Sequence, residues 1–203
     1  MITTKDKVFI HIPRTGGSTL KQALRQENKA VWDPFPPVLD LATCNGCRPY
    51  YFWEDSKPAQ RKTPYSIVRC PYERAASMYG YLTTNFYMQQ FVVGSTFKEV
   101  MMDGLTGVGH QWLVTSTQSE ILFSLLGKEV QVYHYEDGLS DFYALFGVNP
   151  KERVNASPFD YTMLDQEALD VIHLLFLEDF ESFGYTQVNT VKDLIEMKAE
   201  NGT

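Results

Sequence analysis

The sequence is poor in cysteine. Cys44, Cys47 and Cys70 are the three among 203 residues, too few for a disulfide framework. A reducing, cytoplasmic location is the expectation that follows. Long apolar runs are missing too. None reaches the ~18 residues that cross a bilayer, so no membrane association is expected. The opening MITTKDKVFIHIP lacks the apolar centre of a secretion signal and reads as the first strand of a fold. A basic surface is also absent. The net charge of -7 argues against broad nucleic-acid or anionic-membrane binding. It does not exclude a small anionic ligand, because nearby arginines and helix ends outweigh distant carboxylates at contact range. There is no internal repeat and no low-complexity tract.

Apolar side chains are present in quantity, at 44% of the chain, enough for a substantial core. The length suits one domain, taken as residues 1–188, followed by a polar tail, residues 189–203, helical or disordered. Apolar runs at Val8–Ile12, Pro64–Arg69 and Glu129–Glu136 predict buried strands, with a further short one at Lys29–Trp32. Helical spacing predicts helices from Ser18 to about Glu27, from Pro71 onward, and over Ser95–Asp103, Gln118–Leu126 and Leu139–Phe146. The longest is Leu164–Phe180, with Leu164, Ala168, Val171, Ile172, Leu175, Phe176 and Phe180 on one stripe. Six prolines make Asp33–Pro64 rich in loops. Strands alternating with helices predict an α/β fold with a central parallel sheet covered on both faces, a three-layer sandwich. Ligands of such sheets sit at the carboxyl ends of the strands, where Arg14 and Arg69 fall.

Two stretches carry chemistry. In VFIHIPRTGGSTL a strand ends at Pro13 and a turn rich in glycine and hydroxyls leads into a helix. Helix N-termini present unpaired N–H groups and partial positive charge. Gly16 and Gly17 let that backbone wrap an anion. Thr15, Ser18 and Thr19 add hydroxyls, and Arg14 adds a permanent charge. The loop is not a Walker A motif. Gly17 stands where that motif needs lysine and His11 where it needs its first glycine. The expected ligand is therefore a monophosphate or its mixed anhydride, bound without a metal. In SIVRCPYERAASMYGY, Arg69 ends a strand, while Arg74 and Ser77 share a helix face at i,i+3. Arg69 and Ser77 form a second anion site, so the pair of motifs suits a ligand with two separated phosphates.

FIHIPRTGGSTL followed by IVRCPYERAASMY resembles the sulfotransferases that use 3′-phosphoadenosine 5′-phosphosulfate (PAPS). VYHYEDGLSDFYALFGV, VNASP and FLEDFESFGY resemble later parts of the same family in the same order. The likeness is closest to its compact carbohydrate-type or bacterial branch. It implies a sulfotransferase core of P-loop NTPase-like build and an enzyme that moves a sulfuryl group from PAPS to a hydroxyl or amine. The acceptor would be a saccharide, small molecule or peptide, and the nucleotide product adenosine 3′,5′-bisphosphate (PAP). By the same resemblance Arg14, Thr15, Gly16, Gly17, Ser18 and Thr19 hold the 5′-phosphosulfate. Arg69 and Ser77 hold the 3′-phosphate, and Arg74 braces the motif. The family usually has lysine at position 14. Arginine occurs there in its tyrosylprotein branch, and it favours charge stabilisation of the leaving oxygen over its protonation.

A general base is needed for the acceptor. Asp33 is the favoured candidate, near where the tyrosylprotein branch places a glutamate, with His11 beside the cradle in a supporting place. Glu54, Asp55 and His110 are the alternatives. Two other readings stay open: a module that binds PAP or PAPS without turnover, and a small P-loop-like kinase. CNGC reads as a loop with two free thiols, because a zinc site needs a second ligand pair that the chain lacks.

Overall fold

The computed structural model describes residues 2–4, 6–27, 61–84, 89–102, 116–123, 129–150 and 164–200. The chain divides into two compact units, Met1–Arg69 with Gln118–Ala156, and Cys70–Thr117 with Ser157–Thr203.

The first unit is mixed α/β. Its strands are β1 (Ile2–Thr3), β2 (Lys7–Ile10), β3 (Thr63–Val68) and β4 (Gln131–His134), in spatial order β1-β2-β3-β4. β1 runs antiparallel to β2, while β2, β3 and β4 are mutually parallel. The registers Phe9↔Tyr65, Ile10↔Ser66 and Val68↔His134 align the carboxyl ends of the three parallel strands. Strand residues alternate between faces. Phe9, Tyr65 and Ile67 join one core with Leu20, Ala23 and Leu24 of α1 (Gly17–Gln26) and Phe142 of α2 (Ser140–Leu145). Val8, Ile10 and Val68, on the other face, are fully buried as well. Apolar strands buried on both faces are the parallel-sheet pattern. Ser66 is tolerated there because its hydroxyl donates to the Ile10 carbonyl across the strands, at 2.9 Å.

Expected strand ends move. The first strand stops at Ile10, short of Ile12. The strand expected to reach Glu136 ends at His134, where Tyr135–Asp137 turns into a single 3-10 turn closed by Gly138 at φ +85°. The possible strand at Lys29–Trp32 and most of the Asp33–Pro64 loop lie outside the described residues.

The second unit is helical. α3 (Pro71–Thr84), α4 (Phe97–Met102), α5 (Gln166–Phe183) and α6 (Val191–Glu200) surround a core of Tyr72, Met78, Leu82, Val100, Ile172, Phe176 and Phe180. The α5 stripe is buried as its spacing predicts, with Leu175 partly so. Asp165 caps this helix by accepting the Ala168 N–H at 2.8 Å, and Gly184 ends it at φ +70°. The polar tail forms helix α6, with Leu194 fully buried. Among the described residues no helix is long and apolar enough to cross a membrane.

One polar contact in this core is titratable. The Tyr72 hydroxyl accepts the Val188 N–H at 2.9 Å and lies 2.5 Å from His173 Nε2. With the His173 proton on Nδ1 the hydroxyl donates to Nε2, and with the other tautomer it accepts from Nε2–H. Burial lowers the His173 pKa from its ordinary 6.5, with Asp170 opposing the shift. Burial also pushes the Tyr72 phenol up to about 12. As pH falls below 6.5 the unfolded imidazole takes up a proton before the folded one does. The stabilising contribution is therefore complete above that pH and is lost on the acid side. His173→Gln keeps an acceptor for Tyr72 without titrating. Its urea midpoint should fall less than the wild-type midpoint on going from about pH 7.5 to pH 5; equal falls would reject the assignment.

Candidate functional site

The candidate site lies at the carboxyl ends of β2 and β3 in the first unit. The chain leaves β2 through His11, Ile12 and Pro13 and turns at Arg14, whose φ of +69° is in the left-handed region. A side chain with a Cβ is uncommon there, at a cost of order 1–3 kcal/mol, and such residues concentrate at functional sites. Gly16, at φ +92°, is the N-cap of α1. It supplies no capping side chain, and the first turn of α1 holds no acidic residue. The helix start thus has neither a side-chain cap nor a first-turn carboxylate, which leaves its partial positive charge uncompensated from within the helix, while the Thr19 N–H donates to the Gly16 carbonyl at 3.1 Å.

The two glycines are required for different reasons. A Cβ on Gly17 would stand 2.4 Å from His11 Cδ2 and 2.7 Å from Phe9 Cε1. Gly17 is therefore the residue that lets α1 start directly against β2. A Cβ on Gly16 would come within 3.0 Å of the Tyr135 ring, and the φ there is itself costly for other residues. Thr15 is fully buried and its hydroxyl donates to the Ile12 carbonyl at 2.9 Å. The hydroxyl expected to serve an anion thus ties the turn together. Ser18 is partly exposed in the first turn of α1, whereas Thr19 is buried. His11 stacks on Phe9, centroids 5.8 Å apart, and its ring edge faces Gly17. It supports the loop from the strand side.

Arg69 comes to this loop. Its Nη1 donates to the Arg14 carbonyl at 3.3 Å, across 55 residues of sequence. Its guanidinium lies over the Tyr135 ring, 4.5 Å from the centroid. Its peptide group is clasped by Gln118: the Arg69 N–H donates to Oε1, and Nε2 donates to the Arg69 carbonyl, both at 2.8 Å. Gln118 is fully buried. Tyr135 and Gln118 were not among the residues expected to form a site. The Tyr-Glu-Asp run marked Tyr135 only as part of a resemblance, and no local signal marks Gln118.

Ser77 belongs to the second unit, buried in α3. So does Arg74. Its Nη1 donates to the Ser116 carbonyl at 3.0 Å and stands 3.9 Å from Asp179 Oδ2. Both side chains are buried, and burial lowers the Arg74 pKa while Asp179 opposes that shift. Arg74 also lies over Phe176, 5.5 Å from the centroid, where α5 departs from helical geometry. Glu73 pairs with Lys198 of α6. Arg74 is thus a core brace. Asp33, Glu54, Asp55 and His110, and the thiols Cys44 and Cys47, lie outside the described residues.

The chain matches no protein-family model, no curated protein and no solved structure.

Two substitutions check these placements. Gly17→Ala should destabilise by about 1–3 kcal/mol, the usual range for overpacking. His11→Ala in the same chain should recover part of that loss in chemical denaturation, since it removes the closer of the two clashes. Asp179→Asn, which leaves the Arg74 charge buried without its carboxylate, should cost about 3–5 kcal/mol. A loss below about 1 kcal/mol, the scale of an exposed pair, would show that the ion pair does not brace the core.

Proposed function

We propose that this chain is a PAPS-dependent sulfotransferase, a three-layer α/β sandwich on a P-loop NTPase-like core. The observation that carries the reading is the meeting of two motifs distant in sequence. Arg69, from the second motif, donates to the Arg14 carbonyl at 3.3 Å in the loop of the first. One nucleotide with phosphates at both its 5′ and 3′ positions can then be gripped at a single sheet edge. In this reading Arg14, Gly16, Gly17, Ser18 and Thr19, with the Thr15 backbone, take the 5′-phosphosulfate, and Arg69 takes the 3′-phosphate.

The reaction is an in-line displacement. An acceptor oxygen or nitrogen attacks sulfur, the bond from sulfur to the bridging oxygen breaks, and PAP leaves with that electron pair. Charge on the equatorial and bridging oxygens is met by Arg14 and by N–H groups at the start of α1, fixed in place before reaction. Arginine acts here as a permanent charge and gives up no proton. The acceptor proton goes to a carboxylate or imidazole, with Asp33 the favoured base.

A second reading, a module that holds PAP or PAPS without transfer, draws on one observation. His11, the described candidate base, has its ring packed on Phe9 and Gly17.

Ligand-dependent melting separates these readings from a kinase. PAP should raise Tm by several degrees at about 100-fold over its Kd, equivalent to about 2.7 kcal/mol, and ATP with magnesium should not. The reverse pattern would overturn the proposal in favour of a kinase. Labelled PAPS with saccharide, phenol, amine and tyrosyl-peptide acceptors then distinguishes transfer from binding alone.

A further inference from the structure

Arg69 is held from three directions, none of which its own strand supplies. Gln118 fixes its peptide with two hydrogen bonds of 2.8 Å. The Arg14 carbonyl accepts from Nη1 at 3.3 Å. The Tyr135 ring lies beneath the guanidinium, 4.5 Å from it. The same ring stands against Gly16. Tyr135 reaches both places because β4 ends at His134 and the chain then makes a 3-10 turn.

A long side chain that binds an anion loses many rotamers on doing so. One already oriented loses fewer and binds more tightly. The planar guanidinium also presents its donors as a fork of fixed direction, so its tilt decides whether two of them meet one phosphate. An aromatic face fixes that tilt and leaves the edge donors pointing outward from the ring.

We infer that Tyr135, backed by the Gln118 clasp, is a positioning residue that aims Arg69 and so makes the site selective for a nucleotide bearing a 3′-phosphate. The inference rests on the sulfotransferase reading and adds a residue to it. Tyr135 acts through Arg69, and its effect should appear in selectivity more than in affinity at large.

The test is calorimetric titration with PAP and with adenosine 5′-monophosphate, read as the ratio of their affinities. Wild-type protein should favour PAP strongly, and Arg69→Ala should bring the ratio close to one. Tyr135→Leu should lower the ratio by about fivefold, the factor a cation–ring contact at a partly exposed site is worth. Tyr135→Phe, which keeps the ring, should hold it within about twofold, because the cation rests on the ring face. Gln118→Met should lower the ratio as well, together with Tm, since it strips the Arg69 peptide of both partners. If that variant does not fold, the two Tyr135 variants decide the matter alone. A Tyr135→Leu protein that binds both nucleotides more weakly by the same factor, ratio unchanged, would overturn the inference: the ring would then only support the Gly16 loop. A wild-type ratio near one would instead overturn the assignment of Arg69 to a 3′-phosphate, and this inference with it.

Discussion

The parallel pairing of β2 with β3 is the constraint on which the candidate site depends. Its register places Phe9 opposite Tyr65 and Ile10 opposite Ser66. Two strands that run the same way and end within two residues of each other deliver their following residues to one edge of the sheet. Arg14 and Arg69 meet for this reason, although they share no local structure. A parallel ladder is stable only where apolar strands are buried on both faces, and here both sets of strand side chains are. The core thus supports the candidate site through backbone direction.

The loop between β2 and α1 gains its shape from crowding. Gly17 has no room for a Cβ because His11 and Phe9 occupy it, and Gly16 lies against Tyr135. With those neighbours in place, no side chain can stand at either glycine. Arg14 is held in the left-handed region by its context: Arg69 takes its carbonyl and Thr15 ties the turn to Ile12. Strain of this kind survives only where several contacts oppose its relaxation. It turns the Arg14 peptide in a direction that an unstrained strand exit would not.

The second motif places its two arginines in different surroundings. Arg69 stands at a strand end within reach of solvent, partly exposed. Arg74 is buried among Ser116, Asp179 and Phe176. Two arginines five residues apart in one motif therefore play opposite parts. A buried arginine needs a carboxylate and carbonyls to offset its desolvation, and the helical unit provides them.

Sequence by itself determined what depends on near neighbours. The apolar runs at Val8–Ile12 and Pro64–Arg69, the turn at Gly16 and Gly17 and the stripe on α5 were legible, because periodicity and turn chemistry are settled within a few residues. The α/β character and the edge carrying Arg14 and Arg69 followed from the order of those elements. What only the tertiary structure decided are contacts between residues far apart in the chain. Gln118 clasps Arg69 across 49 positions, Asp179 faces Arg74, and Tyr135 lies under Arg69 because β4 ends two residues earlier than its apolar pattern suggests. Thr15 shows the same limit at short range. Its hydroxyl suits an anion or a turn equally well, and the position of the Ile12 carbonyl settled which. Side-chain chemistry names the donors a residue owns, while the fold decides what stands within 3 Å of them.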